Sequence, residues 1–188
     1  MFKENVVLSS NDKLTKLAKS YNISQWNELT SFVKNLPYGR NKTRNDLSLV
    51  LQQQKGTCSS KHALLKAIAD LNTIPDVKLI LGMYKMNHIN TPKIGNVLIK
   101  NNIEFIPEAH CYLLINNERL DFTTSSSDFG RLKDAILFEK EIQPHQVAEF
   151  KVNFHKNYMK RWIIDNNIHF TFNELWLLRE QCIENLSA

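Results

Sequence analysis

Cysteine is scarce in this chain: three thiols in 188 residues, and an odd number. A chain of this length buries a core without staples, so a disulfide framework is excluded and each thiol needs its own explanation. Glycine and proline are equally sparse at five each, which excludes collagen-like and Pro/Gly-rich disordered chains. No stretch approaches eighteen apolar residues, so no membrane span is expected, and Met1-Phe2-Lys3-Glu4-Asn5 lacks a signal-peptide core. What remains, 43% apolar and 23% charged, is the composition of an ordinary globular protein. The expectation is one cytoplasmic domain over 1–188.

Arginine is the next scarcity. The formal charge is +5 and the pI about 9.1, yet only six of the 24 cations are Arg. Base readout and bidentate phosphate clamping favour the planar guanidinium. The lysines are scattered, with no run longer than Lys160-Arg161. A solvated lysine-rich surface fits this better than a nucleic-acid footprint, so neither specific nucleic acid nor membrane is an expected partner. The densest basic patch, Tyr38-Gly39-Arg40-Asn41-Lys42-Thr43-Arg44, lies in a loop.

Periodicity divides the chain. Residues 11–35 read as two helices, with Asp12 and Ser24 as candidate caps and Pro37 as the stop. Asp46 is a candidate cap for a short helix that Gly56 breaks, and another helix begins near Cys58. Val77 to Tyr84 reads as a buried strand, and 93–102 as an ambiguous stretch or short helix. His110–Ile115 and Glu118–Thr123, joined by Asn116-Asn117, form a predicted hairpin, because Asn tolerates positive φ. From 144 the pattern is helical again, with one helix over 144–165 and a last one capped by Thr171 or Asn173. The aromatics Trp26, Trp162, Phe170 and Trp176 read as core where flanking helices cover the sheet. Helices, an antiparallel sheet, then helices make an α+β fold.

Cys58 falls at the predicted helix start, where unpaired N–H groups and the positive dipole end favour a thiolate. The same position also suits a small buried hydrophobe. In the hairpin, Ile115 pairs with Glu118, which places His110 and Asp121 on one face as diagonal neighbours. Cys111, Leu113, Ile115, Leu120 and Phe122 collect on the other, apolar face, so Cys111 reads as a core thiol; Cys182 reads likewise on the last helix. A face carrying both His and Asp suits an imidazole oriented by a carboxylate to activate a thiol, or an ordinary surface salt link.

Gly56-Thr57-Cys58 at a helix start, His110 opening a strand and Asp121-Phe122-Thr123 on the next resemble the transglutaminase-like branch of the papain-like cysteine enzymes. The resemblance covers about 37–124, with helical additions at 1–36 and 144–188. It implies a papain-like core with an antiparallel sheet and a nucleophile helix. It further implies Cys58 as nucleophile, His110 as general base and acid, and Asp121 as the orienting carboxylate. The chemistry implied is amide hydrolysis or acyl transfer through a thioester, on a peptide, protein or small amide. The Gly-Gly-x-Cys signature of arylamine acetyltransferases is absent, as are calcium loops, so no cofactor is expected. By the same resemblance Gln52, six residues before Cys58, is a candidate oxyanion donor, with Gln53 and Gln54 as rivals. Arg40 is a candidate for a substrate carboxylate and Tyr112 a further substrate-binding candidate.

Two alternatives stand beside this. Cys58 and His62, four apart on a helix, have metal-ligand spacing to which His110 could add, but no second ligand pair exists, so no metal is expected. His62 reads as a surface or rim residue, and His88, His145, His155 and His169 as loop or helix-surface residues. The other functional class is a non-catalytic binding module that retains the fold.

Overall fold

A computed structural model of the chain describes residues 6–186; residues 1–5, read above for a leader, lie outside the described residues. Asp12 accepts the N–H groups of Leu14 and Thr15 at 2.8 and 2.9 Å and so starts α1 (Lys13–Ser20). α2 (Trp26–Asn35) is capped by Gln25, not by Ser24. The Glu28 carboxylate accepts both the Gln25 and the Ser24 N–H, which places Ser24 one residue outside the cap. Asp46 likewise does not cap α3 (Leu49–Gln52); it accepts the N–H and hydroxyl of Ser48, the residue that does precede the helix. In α4 (Cys58–Leu71) the Thr57 and Ser60 hydroxyls each accept the other's N–H, so the short Gly-Thr-Cys-Ser-Ser run builds its own N-terminus.

β1 (Val77–Met86) is followed by a 3-10 turn at Pro92–Ile94 and by α5 (Val97–Lys100), which resolves the ambiguous 93–102 stretch as short helix. β2 (Ile106–Ile115) and β3 (Glu118–Leu120) form the expected hairpin turn, with Ile115 opposite Glu118, but β3 stops at Leu120 and not at Thr123, so the expected pairing of Tyr112 with Asp121 and of His110 with Thr123 does not form. Its two turn residues, Asn116 and Asn117, both have positive φ, 49° and 64°. Glycine being rare, asparagine does this work elsewhere too: Asn22, Asn102 and Asn167 also take left-handed conformations. β4 (Ile136–Ile142) was not anticipated. It pairs antiparallel with β1 at the sheet edge, and Glu139, Lys140 and Glu141 are exposed there, so its apolar alternation is weak. The sheet order is β3-β2-β1-β4, all antiparallel.

The predicted helix over 144–165 is in fact a 3-10 turn, Pro144–Val147, then a break at Ala148 and α6 (Glu149–Asp165). Thr171 caps α7 (Phe172–Asn185) through a reciprocal pair with Glu174. No described helix is long and apolar enough to cross a membrane. The architecture is α+β.

Alternation along β1 and β2 separates two cores. Leu79, Leu81, Met83, Cys111, Leu113 and Ile115 pack with α1, α2 and α4, and Trp26 belongs to this side. Tyr84, Met86 and Ile106 meet Met159 of α6 and Leu175 and Cys182 of α7, with Trp162, Phe170 and Trp176 half-buried around them. Between these, Tyr112 lies over Gly82 of the neighbouring strand and reaches the carboxylate of Glu139 on β4. Arg119 holds the same carboxylate through two bonds of 2.8 and 2.7 Å. Tyr112 is thus a buried strut across the sheet, not a cleft residue, which corrects its reading as a substrate contact.

A Cβ at position 82 would lie 2.8 Å from the Tyr112 ring. Gly82→Ala is therefore expected to cost about 1–3 kcal/mol in a urea unfolding titration, the usual range for overpacking.

Candidate active site

β3 ends at Leu120, so on that side only Leu113, Leu114 and Ile115 of β2 have a strand partner. Along the rest of β2 this edge is open, and the first turn of α4 comes up to it. The Cys58 sulfur lies there near the Cys111 backbone N–H, which favours its thiolate and which a longer β3 would have used. His110 is beside it, close enough for its ring to favour the Cys58 thiolate.

The chain leaves the ladder at Asp121, whose carboxylate is then fully occupied. Oδ1 accepts the Thr123 N–H at 2.9 Å and the Thr123 hydroxyl at 2.5 Å. Oδ2 is thereby aimed at His110 Nε2, 3.0 Å away. Since Asp121 takes Nε2, the nitrogen left for the thiol is Nδ1. The structure brings Cys58, His110 and Asp121 together in the order the sequence suggested.

Electrostatics polarise this trio. Burial alone would raise the Cys58 thiol, which is 8% exposed, but Lys151 and His110 outweigh it and pull the pKa to about 6. Burial would lower His110, but Asp121 and the Cys58 thiolate raise it to about 10. Asp121 is held well below the carboxylate range by His110, His62 and Thr123, against the opposing effect of its burial. The state favoured near neutrality is a thiolate–imidazolium pair. The other thiols behave oppositely: burial raises Cys111 to about 12 and Cys182 to about 11, as core positions should.

His62 was expected at the rim; it is fully buried. Its Nε2 accepts the Phe122 N–H at 2.7 Å, so Nδ1 carries the proton and donates to the Cys58 carbonyl at 2.7 Å. Both nitrogens are used to lock the helix start to the strand exit, which removes His62 from any ligand set with Cys58. Lys61, also fully buried, does a parallel job by donating to the carbonyls of Leu36 and Thr123 at 2.5 and 2.6 Å.

Cys58 lies where two parts of one cleft meet. The larger part, about 340 Å³, is lined by Tyr84, His110 and Leu132 and by hydroxyls of Thr123, Ser126 and Ser127. The smaller, about 180 Å³, is lined by Arg44, Lys151 and Arg179 among others. Tyr38 lines both. Hydrogen bonds from Gly39 N–H to the Gly56 carbonyl and from Gly56 N–H to the Pro37 carbonyl, each 3.2 Å, pin it beside the turn that leads into Cys58. Burial, then Cys58 and Glu108, push its phenol above the ordinary value, so it keeps its proton, and its hydroxyl makes no hydrogen bond among the described residues.

Other expectations are corrected. Gln52 and Gln54 are exposed and outside the cleft lining, and Gln53 accepts from Asn41 and Lys42 instead. Arg40 lines the smaller part but is paired with Glu180 at 2.5 Å. His155 is buried, not on the surface: its Nε2 donates to the Pro107 carbonyl at 2.9 Å, beside Glu108. His88, His145 and His169 are exposed. Sequence reading also missed Glu108 and Arg179, a buried bidentate pair at 2.8 and 2.5 Å that joins β2 to α7. The signal available was a Glu in an otherwise apolar strand.

Comparison with known proteins gives no match: no family model, no curated protein and no solved structure is similar to this chain.

Burial holds His62 down to about 4. Between about pH 6.5 and pH 4 the unfolded chain takes up a proton at this position that the folded chain refuses, so stability falls as pH falls. His62→Gln is expected to lower the urea midpoint at neutral pH and to shrink its drop across that window.

Proposed function

We propose that this chain is a cysteine-dependent amide hydrolase or acyl transferase of the transglutaminase-like, papain-like type. The observation that carries the proposal is the Asp121–His110 hydrogen bond in the same cleft lining as Cys58 at a helix start, with Cys58 the one depressed thiol of the three.

The Cys58 thiolate attacks the carbonyl carbon of an amide, and the C–S bond forms as the carbonyl π pair moves onto oxygen. As the first residue of α4, Cys58 offers its own N–H without an intrahelical partner to that oxyanion. The Tyr38 hydroxyl is the second donor, replacing the glutamines suggested by spacing. When the oxyanion collapses, the C–N bond breaks and the amine leaves with the proton that His110 Nδ1 held. His110, now neutral, takes a proton from water or an acceptor amine as it attacks the thioester. The acyl product leaves and the thiolate–imidazolium pair returns. Asp121 keeps the ring oriented throughout and stabilises its cationic form.

Iodoacetamide alkylation, mapped by mass spectrometry across pH, tests the nucleophile. Cys58 should react with a midpoint near pH 6, and His110→Ala should raise that midpoint by roughly one unit or more toward an ordinary thiol. Labelling of Cys58 no faster than Cys182 would sink the enzyme reading and leave a binding module.

Tyr38 has a separate test, because alkylation passes through no oxyanion whereas acylation by p-nitrophenyl acetate does. Tyr38→Phe should slow release of p-nitrophenol about 10- to 1,000-fold and leave the iodoacetamide rate nearly unchanged. Equal effects on both reactions would remove Tyr38 from the oxyanion role.

A further inference from the structure

The two parts of the cleft differ sharply in charge. The part on the hydroxyl-lined side carries cations and carboxylates together: Lys93 and Arg131 against Glu108, Asp121 and Asp128. The smaller part is lined by five cations, Arg40, Lys42, Arg44, Lys151 and Arg179, and a single carboxylate, Glu108. Two of the five are already answered. Arg179 is held by Glu108 and Glu180, and Arg40 by Glu180. Lys42, Arg44 and Lys151 make no ion pair or side-chain hydrogen bond among the described residues.

Lys151 is half-buried near the start of α6 and stands close enough to act as the foremost cation on Cys58. Desolvation and the crowding cations Arg40 and Arg179 depress Arg44 from its ordinary value, which marks a local excess of positive charge. Three unanswered cations lining one hollow, Lys42 and Arg44 exposed and Lys151 half-buried, carry a self-repulsion that an entering anion relieves.

Resting on the nucleophile reading above, we infer that the substrate carries an anionic oxygen group, carboxylate or phosphate, on the flank of the scissile bond that lies against Lys151, Arg44 and Lys42. The opposite flank of the substrate is uncharged and lies along Tyr84, Leu132 and the hydroxyls of Thr123, Ser126 and Ser127. The same cations select against amides with a positively charged group on the first flank. Lys151 then has two effects that one measurement can separate: it favours the thiolate, and it attracts the anion.

Iodoacetate and iodoacetamide make that separation, since they alkylate the same sulfur by the same displacement and differ in charge. The ratio of their rates at Cys58 cancels the thiolate fraction and reports only the attraction for a carboxylate. Lys151→Gln and Arg44→Gln should each lower the iodoacetate/iodoacetamide ratio roughly three- to fivefold, the effect of one unit charge several ångströms away in a wet cleft. The double variant should lower it further, and added salt should reduce the ratio more in the unmodified chain than in the double variant. An unchanged ratio in the double variant overturns the proposal. If Lys151→Gln fails to fold, Arg44→Gln with Lys42→Gln, both on exposed side chains, carries the same test.

Succinate and inorganic phosphate, compared as protectants at matched ionic strength, separate the two sources of the anion; the stronger protector names the group. Failure of the two readings is distinguishable. A Cys58 that reacts with neither reagent faster than Cys182 removes the nucleophile itself. A fast Cys58 whose ratio ignores Lys151 and Arg44 removes only the anionic subsite.

Discussion

The early end of β3 is the constraint on which the rest of the site depends. Three residues of β3 pair with β2, and then the chain turns away at Asp121. That leaves part of the β2 edge without a strand, and an open edge has backbone groups that must be satisfied. The first turn of α4 comes up to that gap and brings the Cys58 sulfur near the Cys111 N–H. A longer hairpin would pair that N–H with a carbonyl and exclude the thiol. The departure of the strand also frees the Asp121 carboxylate to face the His110 ring from a non-ladder position. Cys58, His110 and Asp121 converge on one feature of sheet topology.

Convergence alone would give a buried, unreactive thiol. Desolvation is the largest influence on Cys58, His110 and Asp121 alike, and in each it opposes the charged form. Charge in these groups survives because they are answered mutually and from outside, by Lys151 on α6. The C-terminal helices are therefore part of the site. Arg179 and Glu180 on α7 tie it to Glu108 on β2 and to Arg40 in the loop after Tyr38. The same ties hold the cleft wall in place.

Much of this was legible in the sequence where the signal was local. The hairpin register followed from two adjacent asparagines, and the His110–Asp121 contact was anticipated from it, although Asp121 makes that contact just beyond the end of the ladder. The helix start at Cys58 followed from Gly56 and the hydroxyl residues around it. Capping by Ser24 and Asp46 failed by one or two residues: Glu28 draws the Ser24 and Gln25 N–H groups to itself, and Asp46 spends its carboxylate on the N–H and hydroxyl of Ser48. β4 was missed because an edge strand with charges on three successive residues has little apolar period to read. Tyr112 was misplaced because the hollow it fills is the missing side chain of Gly82, thirty positions earlier and visible only once strands pair. His62 and His155 looked like surface residues because nothing in their neighbourhood announces the distant backbone groups, at Phe122 and Pro107, that absorb their polarity. Lys151 carried no local signal at all: a lysine on an amphipathic helix reads as solvent-facing.

Lys151 has a consequence for how the protein matures. It enters the chain 93 positions after the thiol it acts on, on a helix that must pack across the sheet before the two come near. Any stage of folding that precedes the docking of α6 lacks this contact. Cys58 thus passes through the earlier stages without its foremost cation, as a thiol closer to the ordinary kind. The depressed thiol is therefore a property of the completed tertiary structure, and a copy with α6 undocked keeps a Cys58 that electrophiles modify more slowly.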